Sequence, residues 1–225
     1  MVVMDDEGDV LVHCGDFTMH GEVAEVAAFN ECLGRLPHKY KVVVAGNHDV
    51  CLDNRSQLAD ERISKELQRR NVINAKQLLT NCYLLHDQTI CLFGYKIFGG
   101  PWHNMPGYPY YVKRGAAAQE AWARVPAETD VLVTHNPSLG HGDFAPVRWG
   151  DRWGDVDLLL EVENRIKPAV HAFGHIHQGA LGGYGVTEND KGTRFVNASL
   201  CDKSYKLVNK PLVIDLPKKT PSQAH

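Results

Sequence analysis

Four short apolar runs in this 225-residue chain are each followed at once by a metal-type ligand or a glycine-flanked polar group, side chains that suit metal or phosphate chemistry. Val10 to Cys14 leads into Gly15-Asp16, and Val42 to Ala45 leads into Gly46-Asn47-His48-Asp49. Val131 to Thr134 leads into His135-Asn136, and Ala169 to Phe173 into Gly174-His175-Ile176-His177. Carboxylate, amide and imidazole groups without thiolate suit divalent manganese, iron or zinc better than copper or calcium. Histidine is abundant at 12 residues, about twice the share of an ordinary domain, so its placement is informative. Taken singly, each group has a structural explanation: an Asp after a strand caps a helix or turn, and two histidines two apart can point one in and one out. Four such groups, each directly after an apolar strand, point to a single convergent site, because ligands of α/β sheets bind at the carboxyl ends of the strands.

The elements that must position these groups follow from periodicity. Glu22 to Leu36 sets Val26, Phe29, Leu33 and Leu36 at spacings of three and four before Pro37, which predicts an amphipathic helix between two strands and hence a parallel crossover unit. Further helices are predicted near Asp60 to Arg70, Ala116 to Val125 and Val156 to Ile166. Strands are predicted at Thr193 to Ser199 and Leu212 to Leu216, and at Asn81 to His86 and Ile90 to Gly99, these last two antiparallel to each other. Gly99 to Tyr111 is dense in Gly, Pro and aromatic residues and reads as a long structured loop, of the kind that more often carries function than connects elements.

Length and a 44% hydrophobic share suffice for one sizeable core. The balance of 24 Lys and Arg against 27 Asp and Glu, net −3, excludes extended nucleic-acid binding driven by phosphate neutralisation. Apolar runs fall short of the ~18 residues that span a bilayer, and Met1 to Asp9 carry acids where a signal peptide carries bases. With six dispersed cysteines, a soluble cytoplasmic chain with reduced thiols and no membrane partner is expected. No Gly-x-Ser-x-Gly or Gly-x-x-x-x-Gly-Lys-Ser/Thr occurs, which disfavours a serine hydrolase and a nucleotide-dependent kinase or ATPase.

In order and spacing, the four clusters resemble the ligand motifs of calcineurin-like metallophosphoesterases. The flanking stretches from Leu11 to Thr18, Val44 to His48, His135 to Gly140 and Phe195 to Ser199 are similar to the metallophosphoesterase domain-containing (MPPED or UPF0046-like) group. The resemblance runs from about Gly8 to Pro217 and implies one domain over residues 1–217, followed by a polar tail at 218–225. The implied fold is α/β, a four-layer αββα sandwich of two mixed β-sheets flanked by helices, with the family's first strand missing. It also implies two divalent metals, manganese above iron or zinc, bridged by Asp16. Asn47, His135 and His175 match the other ligands of the second metal, and His177 matches a ligand of the first. The family's Asp-x-His motif, which supplies further ligands of the first metal, has no counterpart among these residues. About one tightly held metal per chain is therefore expected, with unpaired backbone at a sheet edge and self-association through it.

The activity implied by the resemblance is hydrolysis of a small phosphodiester, a cyclic nucleotide among the candidates, or of a phosphomonoester, by a metal-activated hydroxide. The alternative is a non-catalytic, single-metal phosphate-binding or scaffold protein. His48 matches the family's non-ligand histidine and is expected, with Asn47, to contact the phosphate and help the leaving oxygen depart. Asp49 either holds the His48 imidazole in one tautomer or caps a helix. His141, six residues past His135, is included with the substrate-binding residues. Trp102 and the tyrosines from Tyr108 to Tyr111 either stack on a nucleobase or pack among themselves. Asn197 is expected to tie the tail strand to the site.

Overall fold

Strands whose successive residues face two different apolar layers build the centre of the computed structural model, which describes residues 8–55, 60–145, 151–177 and 183–219. β1 (Val10–His13), β2 (Tyr40–Val43) and β3 (Tyr83–Leu84) form a three-stranded sheet in that order, with β1 at one edge. β4 (Gln88–Leu92), β5 (Tyr95–Gly100) and β6 (Val131–Thr134) belong to a second, six-stranded sheet. β7 (Phe144–Ala145) and β8 (Asp151–Arg152) make a separate antiparallel ribbon. β9 (Val170–Phe173), β10 (Gly185–Glu188) and β11 (Arg194–Asn197) complete the larger sheet in the order β10-β11-β9-β6-β5-β4. Its four inner strands are parallel and its outer pairs antiparallel, so this sheet is mixed, whereas the described strands of the smaller one are parallel throughout.

Alternation along the inner strands separates three cores. Ile97, Val131, Val133, Val170, Ala172 and Val196 meet Val42, Val44 and Leu85 between the two sheets. The intervening Phe98, Leu132, Phe173 and Phe195 face outward onto helices α3 (Ala116–Ala123) and α4 (Val156–Glu161), through Ala118, Trp122 and Leu158. Across the smaller sheet, α1 (Val23–Arg35) and α2 (Glu61–Arg69) supply Val23, Val26, Ile63 and Leu67 to the third core. Three apolar seams between four layers make the αββα sandwich. Parallel strands buried on both faces read as continuous apolar runs, which is why they are conspicuous in the sequence.

Three expectations are corrected. Asn81 to His86 and Ile90 to Gly99 do not pair with each other: Tyr83–Leu84 joins the small sheet parallel to β2. The longer run folds on itself at Phe93-Gly94 into the β4–β5 hairpin, both turn residues having positive φ (52° and 80°) as a two-residue type I′ loop requires. Leu212 to Leu216 forms no strand, although Leu212, Ile214 and Leu216 pack against the inter-sheet core. Side chains rather than a ladder hold that segment, through the Tyr95 hydroxyl on the Pro217 carbonyl, Arg194 on the Asp215 carbonyl (3.2 Å) and Lys219 on Asp130 (2.6 Å). Lys219, counted above with the tail, is thus anchored.

The sheets approach closely at Gly99, where a Cβ would lie 2.4 Å from Leu85 Cβ and 2.9 Å from Val44 Cγ1. Gly99→Val is expected to destabilise the protein by about 1–3 kcal/mol through overpacking. Urea denaturation measures it, and an unchanged midpoint would contradict the close approach of the sheets.

Candidate metal centre

β1 and β2 are neighbouring parallel strands, and so are β6 and β9, so their carboxyl ends present residues in adjacent pairs. Asp16 and Asn47 follow the first pair, and His135 and His175 the second. The two pairs meet where the sheets pack. One ligand atom each from Asp16, His135 and His175 lies within 4.8 Å of the others. His135 Nε2 stands 2.9 Å from Asn47 Oδ1 and 3.3 Å from Asp16 Oδ2. A Cβ on Gly46 would lie 2.3 Å from Asp16 Oδ1 and 2.6 Å from His135 Cε1, so any side chain there would fill the space the ligands share. Asp16 and His175 both hold positive φ, 57° and 64°. Such backbone costs free energy in non-glycine residues and persists where surrounding contacts impose it.

The hydrogen bonds determine what this cluster can accept. His135 Nδ1 lies 2.7 Å from the Cys14 carbonyl and donates to it, which leaves the Nε2 lone pair aimed at the Asp16 and Asn47 oxygens. Three facing acceptors in a buried site require a cation or a proton between them. Burial works to lower the His135 pKa, but Asp16 and the Cys14 carbonyl outweigh it and raise it. Burial likewise works to raise the Asp16 carboxyl, yet His135, the His48 N–H and His175 together hold it well below the usual carboxylate range. Burial, then the charge of His135, drives His175 well below its ordinary value, so it stays neutral. A carboxylate, an amide oxygen and two imidazoles, one oriented by a backbone carbonyl, fit a divalent metal ion.

Asp49 neither holds His48 nor caps a helix with its side chain. It is fully buried, and its Oδ2 accepts the N–H groups of Gly46 (2.8 Å) and Asp16 (2.9 Å). Its Oδ1 accepts the Thr18 N–H (3.0 Å) and lies 2.8 Å from the Thr18 hydroxyl. Asp49 therefore braces the loops that carry Asp16 and Asn47 against each other. Burial, then the charge of Asp16, pushes its carboxyl up to about 7, against the pull of these donors. His48 is instead oriented by Met19, whose carbonyl accepts from Nδ1 at 2.9 Å. The Met19 N–H is in turn held at 2.9 Å by Glu25, the capping-box residue of α1. This leaves His48 Nε2 as the nitrogen that can face a substrate.

His177 stands outside the three-residue cluster, hydrogen-bonded to the Asp202 backbone and edge-on to Tyr205 at 5.1 Å. His141 does not line the site. Gly140 and Gly142, both at positive φ, turn it onto the helix-facing side of the large sheet. There it stacks on Phe195 at 3.6 Å and meets the Thr187 hydroxyl at 3.1 Å. Asn197 donates to the Gly142 and Ile176 carbonyls (2.9 and 3.0 Å) and so ties β11 to the loops beside the site. The residue that sequence reasoning missed is His103. Wholly buried, it lies 6.3 Å from the His135 ring and 5.9 Å from the His175 ring. Its Nε2 donates to the Pro109 carbonyl and its Nδ1 accepts the Met105 N–H, pinning the aromatic loop against the site. Within that loop Trp102 and Tyr110 pack around His86, at 5.1 and 5.6 Å, whereas Tyr108 reaches His48. A histidine inside a Gly- and Pro-rich loop was the available signal.

This four-layer fold, with a carboxylate, an amide and imidazoles at its strand ends, defines a metallophosphoesterase class of protein, and residues 2–179 match the family Calcineurin-like phosphoesterase. The chain belongs to that family, which supports metal-dependent hydrolysis of phosphate esters. It is similar to UPF0046 protein C25E10.12 of Caenorhabditis elegans, 42% identical over 215 residues that cover 94% of this chain and 74% of that protein. It is also similar to metallophosphoesterase domain-containing protein 1 of Homo sapiens, 44% identical over 220 residues that cover 93% of this chain and 65% of the human protein. The chain thus spans about two thirds of the length of that human relative. The crystal structure of TT1561 of Thermus thermophilus shares the fold, with a TM-score of 0.52 and 13% identity over 85% of this chain and 76% of that one. Among the described residues, no helix is long and apolar enough to cross a membrane.

Asp49→Asn, which keeps the shape but turns an acceptor into a donor, is expected to weaken manganese binding about 10- to 100-fold while unfolding stays cooperative. Calorimetric titration checks it, and unaltered affinity would mean that the brace does not position the ligands. A second expectation concerns His171, behind the site. The Thr134 hydroxyl donates to the Asn136 carbonyl (2.6 Å) and accepts from His171 Nε2 (2.8 Å). Burial lowers the His171 pKa from 6.5 to about 3. Between those values the unfolded chain carries a proton that the folded chain lacks. Stability should therefore fall as pH drops through that window, by up to about 1.4 kcal/mol per pH unit for this group. His171→Asn should flatten the acid decline of the melting temperature, and identical pH slopes for both proteins would contradict the assignment.

Proposed function

We propose that this chain hydrolyses small phosphodiesters at a divalent cation held by Asp16, Asn47, His135 and His175. The observation that carries the reading is the convergence of the His135 Nε2 lone pair with Asp16 Oδ2 and Asn47 Oδ1. When bound there, a metal such as manganese polarises a phosphoryl oxygen and lowers the pKa of water. The chain's own residues supply orientation and proton transfer. The His48 N–H fixes Asp16 Oδ1 at 2.8 Å, and the Cys14 carbonyl fixes the His135 tautomer. The His48 imidazole, held by Met19, presents Nε2 to the leaving oxygen and, when protonated, gives it a proton. A dinuclear form would share Asp16 and recruit His177 at the expense of its bond to Asp202. Cyclic nucleotides are the substrates this reading favours, and the cytoplasm the compartment.

Hydrolysis of bis(p-nitrophenyl) phosphate with added manganese tests the proposal. The wild type should exceed background and Asp16→Asn should not. His48→Ala should lower turnover about 10²- to 10⁴-fold with its metal content unchanged. Equal rates for wild type and Asp16→Asn would remove the enzyme. A wild type that holds metal and phosphate without turnover would instead be the non-catalytic binding protein.

A further inference from the structure

On the reading above, the organic part of the phosphate ester must lie beside His48, where the leaving oxygen departs, and the surface there is apolar. Met19, Tyr108 and Tyr205 are exposed to 45%, 45% and 52%. Each meets His48, Met19 through its carbonyl and the two tyrosines with ring centroids 6.4 and 6.3 Å away. Single exposed apolar side chains are ordinary, but two exposed tyrosine rings flanking one histidine next to a charged centre form a patch with a use. Tyr205 is held there against its backbone preference, at φ 59°. A bulky residue in the left-handed region is uncommon and marks imposed strain. Asp202 builds the turn that imposes it. Its carbonyl accepts the Tyr205 N–H at 2.9 Å, and its own N–H donates to the Lys206 carbonyl at 2.9 Å. Its Oδ1 accepts the N–H groups of Ser204 (2.8 Å) and Lys206 (3.0 Å). The same turn receives His177, whose ring meets Tyr205 edge-on at 5.1 Å.

We propose that Tyr108 and Tyr205 form an aromatic rim that binds the flat, π-bearing organic group of the phosphate ester and selects aryl or heteroaryl esters over aliphatic ones. The inference deepens the phosphoesterase reading and rests on it. Aromatic stacking supplies affinity without demanding a particular hydrogen-bond pattern, so the rim sets a substrate class rather than a single compound.

Two phosphonates test the rim by binding, because their carbon–phosphorus bond is not an ester. Calorimetry on the manganese-loaded protein should show phenylphosphonate binding roughly tenfold tighter than methylphosphonate, in the range of one aromatic stack. Tyr108→Ala and Tyr205→Gly should each shrink that ratio several-fold and leave methylphosphonate affinity unchanged. Glycine accepts the left-handed backbone at position 205, so Tyr205→Gly is expected to keep its melting temperature. If it does not fold, Tyr108→Ala decides alone. Equal affinity of the two phosphonates for the wild type, or equal loss of both in the variants, would overturn the rim and leave the phosphate site standing. Failure of methylphosphonate itself to bind would instead overturn the phosphoesterase reading, and the rim with it.

Discussion

The approach of Asp16 to His135 across two separate sheets, 3.3 Å between Oδ2 and Nε2, is the constraint on which the rest of this structure depends. Neither sheet can form the centre alone, because each contributes one adjacent pair of strand ends. The alternation of β6 makes the point. Val131 and Val133 face the other sheet, so Thr134 turns outward to His171 and His135 turns inward to Asp16. A slip of one residue would exchange those roles and send the imidazole into the helix-facing layer.

The surrounding residues make that approach tolerable. Gly46 gives up its side chain, Asp49 collects N–H groups from both small-sheet loops, and the Cys14 carbonyl takes the proton-bearing nitrogen of His135. Buried charge without such partners is costly. The fold also accepts left-handed backbone at Asp16 and His175 within the cluster and at Tyr205 on its rim. Left-handed backbone occurs in turns elsewhere too, as at Phe93 and Lys167, but at Asp16 and His175 it falls on the ligands themselves, where surrounding contacts must impose it.

Much of the architecture was legible because parallel strands buried on both faces appear as apolar runs, and a ligand placed directly after such a run inherits its position from the sheet. That placement singled out Asp16, Asn47, His135 and His175 in the sequence, and the fold brings them side by side. What stayed hidden depends on direction rather than on composition. β10, mostly exposed, has no core-facing signature. Leu212, Ile214 and Leu216 show a strand's alternation, yet only their side chains are used. Asp49 sits beside His48 in the sequence, but its carboxylate serves Asp16 and Thr18 more than 30 positions away. His141 follows His135 closely, and two glycines at positive φ turn it from the site. Turn geometry decides such cases, and it is not encoded in residue type alone.

The most direct test of the central claim is anomalous diffraction at the manganese edge from crystals of this chain grown with manganese. The account predicts a strong peak enclosed by Asp16, Asn47, His135 and His175, within the coordination range of their oxygen and nitrogen atoms. A peak that touches none of these four side chains, or none at all at saturating manganese, would contradict it.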